Sequence, residues 1–251
     1  MARQTGIIKL KGTLGDISFY KSADSHLARE KGGVDGNRIK NDPAFQRTRE
    51  NGSEFGRAGK GGKILRDSIR LLLQNVTDKR VTPNLQKQLM KVIKADSTND
   101  RGLRTIQDGN MELLQGFDFN SKAKLGRTLY ASFQNTVDRV AGEGDVEVDP
   151  FVPLTMVDAP GGTTHFKIVT GLAELDFVEE NSVFDSDESS ILPWDSSETV
   201  AISLSTAVTA ASTLPLIQVI GVEFYQEVNG TMYPLKNGAY NALSIVKIDN
   251  D

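Results

Sequence analysis

Apolar positions divide this chain into two textures. Up to about residue 141 they recur at helical spacing or in short runs. Beyond it they alternate with polar residues or form strand-length blocks. Near the start, Ile7, Ile8 and Leu10 form one run. Leu14, Ile17, Phe19 and Tyr20 form a second, punctuated by Gly12 and Gly15, so residues 6–32 predict a β-hairpin unit. Ser22, Ala23, Asp24 and Ser25 read as its turn, and Asp35, Gly36 and Asn37 as a loop beyond it. Asp42 as a cap and Pro43 at the first helical position then predict a helix to about Leu73. On it Phe55, Ala58, Gly62, Leu65, Ile69, Leu72 and Leu73 share the apolar arc, while Lys60, Lys63, Arg66 and Arg70 share a basic one. Gly52, Gly56, Gly59, Gly61 and Gly62 each weaken a helix interior by about 1 kcal/mol against alanine. They imply either the close approach of another backbone or a break in the helix between about 51 and 62, and close packing is the stronger reading. A second helix follows Thr82 and Pro83, buries Leu85, Leu89, Val92 and Ile93, and ends near Ala95. Residues 96–110 read as loop and Met111–Leu114 as a short helix. Phe117 to Phe133 fit helix and strand equally well.

After Gly144 the pattern is that of strands. Thr163–Phe177 reads as a long one with a bulge at Gly171, and 179–198 as an acidic loop holding the single tryptophan, Trp194. Val200–Leu204 alternates, Leu216–Val228 is another strand, and Asn229-Gly230 is a strong hairpin signal answered by Met232–Leu235 and then Tyr240–Ile248. Six or seven short strands with turns between them predict an immunoglobulin-like antiparallel β-sandwich. The fold class expected is therefore α+β: a β-hairpin and helical region, residues 1–141, followed by the sandwich, residues 142–251.

Charge sharpens that division. Residues 1–141 carry 26 Lys+Arg against 15 Asp+Glu, a net of +11, and residues 142–251 carry 3 against 18, a net of −15, within an overall −4. Such polarity bears on association. Opposite halves can meet within one molecule, between copies head to tail, or the basic half can meet a polyanion. The candidate contact residues are Lys60, Lys63, Arg66 and Arg70 on the basic side, and Asp185, Asp187, Glu188 and Trp194 on the acidic side.

Candidate chemistry is sparse. There is no cysteine, so disulfides and thiolate chemistry are excluded. His26 and His165 read as surface or structural residues. Gly56–Lys63 is glycine-rich and basic but lacks the phosphate-loop spacing. Asp185-Ser186-Asp187-Glu188 offers oxygens to Ca²⁺ without the calcium-loop glycine and distal glutamate, so a solvated acidic run is the stronger reading. No cofactor is expected. The opening MARQTGIIKLKG is too interrupted by lysine for a signal peptide, and no window has the apolar length of a membrane span. Synthesis in the cytoplasm is the expectation, with the product joining a virion or other large assembly.

The run Gly12-Thr13-Leu14-Gly15-Asp16-Ile17-Ser18-Phe19-Tyr20, with His26-Leu27-Ala28-Arg29 and Asn41-Asp42-Pro43-Ala44-Phe45-Gln46-Arg47, resembles the opening of domain-of-unknown-function proteins found in Bacteroidota and in phage or prophage neighbourhoods. Gly221–Tyr225 and Tyr240–Leu243 are similar to the β-rich end of the same group. The resemblance implies a structural role and no cofactor or site residues. Three functions are thus expected in order: a non-enzymatic, self-assembling structural protein (virion, sheath, surface or filament subunit) whose partner is itself; a nucleic-acid-binding protein using its basic half; and a glycan- or ligand-binding module on the loops around Trp194.

Overall fold

A computed structural model describes residues 2–22, 25–30 and 32–250. Ala23 and Asp24, the middle of the turn expected at 22–25, lie outside the described residues. The chain packs as two compact units, Met1–Arg49 and Glu50–Asp251. The boundary expected at 141/142 is therefore a boundary in charge, and packing divides the chain elsewhere. The reason is that the helices after residue 50 have no core of their own and share one with the strands.

The first unit is a four-stranded antiparallel sheet. Its strands are β1 (Ala2–Arg3), β2 (Gly12–Leu14), β3 (Ile17–Lys21) and β4 (His26–Glu30), in the order β1-β4-β3-β2. Gly15 and Asp16 make the two-residue turn between β2 and β3, and Gly15 takes the positive φ of 57° that such a turn demands. A short helix α1 (Gly36–Asn41) stands where a loop was expected. The Asp35 carboxylate caps it by accepting from the backbone N–H groups of Asn37 and Arg38. Asp42 then caps a 3-10 turn, Pro43–Phe45, by accepting from the Ala44 N–H. The chain passes into α2 (Gln46–Ser68).

In the second unit α2 is unbroken through its glycines and gives way at Ile69 to a short α3 (Arg70–Leu73). Close packing occurs at two of the five glycines, Gly61 and Gly62, and against side chains where another backbone was expected. A β-carbon on Gly61 would lie 2.1 Å from Ile106 Cδ1, and one on Gly62 3.2 Å from Leu89 Cδ1. Gly52 and Gly56 face open space. Helix α4 (Val81–Lys94) buries Leu85, Leu89, Val92 and Ile93 as its periodicity requires. Residues 96–110 are indeed non-helical, Met111–Leu114 is a 3-10 turn, and the ambiguous segment after Phe117 holds one turn of helix, α5 (Leu125–Thr128).

Two antiparallel sheets complete the unit. The smaller has β5 (Phe133–Asp138), β6 (Glu143–Val148) and, after the single-turn α6 (Pro153–Met156), β10 (Ile202–Ala207), in the order β10-β6-β5. The larger is built on two long central strands, β7 (His165–Asp176) and β11 (Leu216–Val228), paired over ten positions. Short strands border them in tandem. β8 (Asn181–Glu188) and β9 (Leu192–Pro193) lie along β7. β12 (Thr231–Pro234) and β13 (Ala242–Asp249) lie along β11. Asn229 and Gly230, at φ of 53° and 77°, close the β11–β12 hairpin.

Strand alternation sends the large sheet into two cores. Val169, Ala173, Leu175, Ile217 and Val219 face α2 and α4. Phe166, Ile168, Ile220, Val222 and Phe224 face Val146, Val148, Ile202 and Leu204 of the small sheet. The molecule beyond residue 50 is thus a mixed α+β body, with helices against one face of a central sheet and a second sheet against the other. No register shift occurs at Gly171, where a bulge was expected. Gly171 instead makes room for the Phe184 ring and Leu72, which a β-carbon would approach at 2.7 and 3.0 Å. The bulge lies in β13. Val246 is the extra residue opposite the Gln218/Val219 step, and it returns Ile248 to the face shared by Leu243 and Ile245.

Candidate functional site

The residues singled out from the sequence do not converge. Lys60 Nζ pairs with Glu180 Oε1 at 2.9 Å, in the β7–β8 turn. Lys60, with a smaller contribution from Lys63, holds that carboxyl below the ordinary glutamate range. Arg66 turns away, donating from Nε to the Gly62 carbonyl and from Nη1 to Thr82 Oγ1. Arg70 is exposed. Two of the four cations of the α2 arc, Lys60 and Arg66, are thus engaged within the unit.

The acidic run is a strand, where a loop was expected over 179–198. Alternation places Asp185 and Asp187 on the face toward β10. There the Asp187 carboxylate accepts from the Ser205 N–H at 3.0 Å and that of Asp185 from the Ala207 N–H at 2.8 Å. These are backbone donors on the edge of β10, which would otherwise offer itself for pairing. Both residues are thus structural. Glu188 points the other way, to Lys167. Trp194 is half-buried in the core between the sheets, and its indole N–H donates to the Val157 carbonyl at 3.1 Å.

A polar cluster invisible in the sequence lies on the large sheet. Lys167 and Glu223 are cross-strand neighbours, 9% and 3% exposed. Lys167 Nζ lies 2.6 Å from Glu188 Oε2 and 3.5 Å from Glu223 Oε2. Glu223 also accepts from Tyr225 Oη and Asn75 Nδ2, both at 2.7 Å. Burial disfavours the ammonium form of Lys167, but the two carboxylates outweigh it and raise its pKa well above the ordinary lysine range. Burial and the neighbouring Glu223 push the Tyr225 phenol up to about 12. A firmly protonated lysine and phenol are poor nucleophiles and poor bases. This cluster ties strands together.

His165 lies on the opposite face of β7 from Phe166, as expected. Its Nδ1 is 2.9 Å from Thr164 Oγ1. Among the described residues no group of three His, Asp or Glu side chains is placed to hold a metal ion, and no helix is long and apolar enough to cross a membrane.

The concave surfaces lie around the helices. A cleft of about 470 Å³ opens between Arg57, Lys60, Asp108, Phe177 and Pro215. Its charged groups are engaged: Arg57 donates to the Arg104 and Gly102 carbonyls, and Asp108 accepts from Asn99 Nδ2 and Thr105 Oγ1. A groove of about 490 Å³ runs between α2 and α4, lined by Phe55, Pro83 and Met90 and edged by Lys87, Lys91 and Lys94. Phe55, assigned to the apolar arc from its spacing, is 57% exposed there. The buried face of α2 is narrower than the apolar arc: it takes Glu54, Ala58, Gly61, Gly62, Ile64, Leu65 and Ser68 and leaves Phe55 outside. The lysine stripe of α4 is the face opposite Leu85 and Leu89, and the helical spacing of Lys87, Lys91 and Lys94 is the sequence signal for it.

No family model matches the chain, and no curated protein matches it. Among solved structures, the chain is similar to one described as "pH-induced modulation of Streptococcus parasanguinis adhesion by Fap1 fimbriae", at 13% identity over 52% of this chain and 92% of that one, with a TM-score of 0.24. It is also similar to the human F-spondin reeler domain, at 10% identity over 55% and 99% of the two chains, with a TM-score of 0.20. Likenesses this slight carry no argument about this chain.

Proposed function

We propose that this protein is a non-enzymatic structural subunit that self-assembles, with its N-terminal sheet covered by the acidic half of a second copy. One observation carries the reading. Among the described residues of Met1–Arg49, none is buried, while Ile7, Ile8, Leu10, Leu14, Ile17 and Val34 are exposed. A small sheet without a core is not independently stable in water, and covering each such aliphatic side chain is worth about 1.5–3 kcal/mol. Charge complementarity favours a second copy as the cover. The same 49 residues carry 10 Lys+Arg against 5 Asp+Glu, and residues 142–251 are strongly acidic.

A virion, sheath, surface or filament subunit, made in the cytoplasm and related to the Bacteroidota and phage-neighbourhood proteins it resembles, is the setting this reading implies. The face-to-face sheets also support an immunoglobulin-like antiparallel sandwich as the architecture of the β-rich part, with the helices as a further layer against it. A glycan site around Trp194 has less support, since the indole N–H and much of the ring are engaged within the unit.

The test is light scattering with sedimentation velocity across concentration and salt. The native chain is expected to associate at low salt and to dissociate as salt screens its exposed charges. Ile7→Asp with Ile8→Asp is expected to stay monomeric with the melting of the larger unit unchanged. A native chain that remains monomeric at high concentration and low salt defeats the proposal.

A further inference from the structure

Helix α4 carries Lys87, Lys91 and Lys94 at spacings of four and three, which align them in one exposed stripe opposite Leu85, Leu89, Val92 and Ile93. None of the three makes a hydrogen bond or ion pair among the described residues. The stripe spans about 10 Å at the helical rise, enough to follow more than one phosphate of a nucleic-acid strand.

Three grooves border it. The apolar one holding Phe55 runs beside all three lysines. A second, of about 340 Å³, lies beside Lys87 and Lys91 and reaches Lys124. A third, of about 430 Å³, begins at Lys94 and continues to Arg101 and Arg104. The acids of these grooves are engaged. Glu54 is buried and accepts from the Gly102 N–H at 2.8 Å, and Asp118 accepts from the Leu125 N–H at 3.1 Å. Arg101 is steadied by Asn51 Oδ1 at 2.8 Å and Glu50 at 3.5 Å, whereas Arg104 Nε is buried with no partner among the described residues.

We propose that this face binds single-stranded nucleic acid. The lysine stripe, Arg101 and Arg104 follow the phosphates, and the exposed Phe55 ring offers a base a stacking surface. A cationic track beside an aromatic platform is the combination such strands require. An acidic peptide would use the cations but leave the ring without a purpose. The site is distinct from the α2 arc expected from the sequence, in which Lys60 and Arg66 are engaged within the unit.

The test is fluorescence anisotropy with a labelled oligothymidylate across salt, on the full chain and on two surface variants whose folding is checked by thermal melting. Binding by the native chain is expected to weaken steeply with salt. Lys87→Gln with Lys91→Gln and Lys94→Gln is expected to flatten the log–log salt slope by about 2, since each phosphate contact on a single strand contributes about 0.7. Phe55→Ala is expected to weaken binding about fivefold or more through lost stacking, with the slope unchanged. Absence of binding at the lowest salt overturns the proposal, as does a triple variant with native affinity and slope. So does binding that ignores Phe55 and that polyglutamate displaces as well as competing oligonucleotide does, which would assign the face to an acidic protein partner.

Discussion

Asp96 is only 2% exposed and makes no ion pair among the described residues, yet four donors converge on its carboxylate. They are the backbone N–H groups of Thr98 at 2.8 Å, Asn99 at 3.0 Å and Thr105 at 2.9 Å, with Asn99 Nδ2 at 2.9 Å. Burial raises its pKa, but the combined donation outweighs that and holds the carboxyl well below the usual range. This one side chain gives the loop after α4 its shape, and that shape seats Ile106 against Gly61. Because the folded-state pKa is depressed, the stabilisation is complete above the unfolded value of about 3.9 and is lost as pH falls toward the folded one. Asp96→Asn, which turns an acceptor into a donor facing other donors, is expected to cost about 1–3 kcal/mol at neutral pH in urea titrations. It should also flatten the loss of stability below about pH 4. Nothing in the order Asp96-Ser97-Thr98-Asn99 distinguishes this residue from an ordinary solvated loop acid, because its partners come from nine residues away as well as from its own turn. The Lys167–Glu223 pair was hidden for a related reason: register across two strands made it, and register was not legible.

At the scale of elements, periodicity was readable wherever one face was buried and the other wet. Helix α4 and the β11–β12 hairpin follow their patterns closely. Strand β8 does not show in the pattern because Phe184 is its one core-packed side chain, while Asp185 and Asp187 serve one neighbour and Glu188 another. Acids at alternating positions look like a solvated run until the strand they protect is known. The glycines of α2 show the limit from the other direction. Composition marks five as costly, and only the packing separates them. Gly56→Ala meets open space and is expected to raise stability by about 1 kcal/mol, the helix-propensity gain. Gly61→Ala forces a methyl group onto Ile106 and Phe177 and is expected to lower it by about 1–3 kcal/mol. Denaturant midpoints of the two variants decide the matter. A shift of the same sign in both would mean that the helix does not pack as described.

For the whole molecule, charge and packing divide the chain at different places. The +11 half includes the sheet unit, α2 and α4, and the last two of these share a core with strands of the −15 half. Opposite charge within the larger unit is thus already brought together, while the basic N-terminal sheet unit still exposes its apolar side chains. Native-state hydrogen exchange is expected to register the difference. Amides of β7 and β11, covered on both faces, should exchange last, and those of β2, β3 and β4 in monomeric protein within the earliest phase. Protection of the N-terminal strands that appears only as concentration rises would locate the association there. The fold class was legible in outline because helical and alternating patterns occupy different stretches. The true unit boundary was not, because it depends on which apolar side chains find cover, a property of the assembled layers.

The tandem arrangement along the two long strands has a consequence for how this chain can vary. Where β8 stops and β9 begins, β7 continues past the gap with its opposite edge fully paired to β11. The exposed Ser190–Ile191 junction can therefore take extra residues without shifting the register of either flanking strand. Natural diversity in length, and any engineered peptide tag or reporter, has an entry point there that leaves both cores and the lysine face of α4 intact.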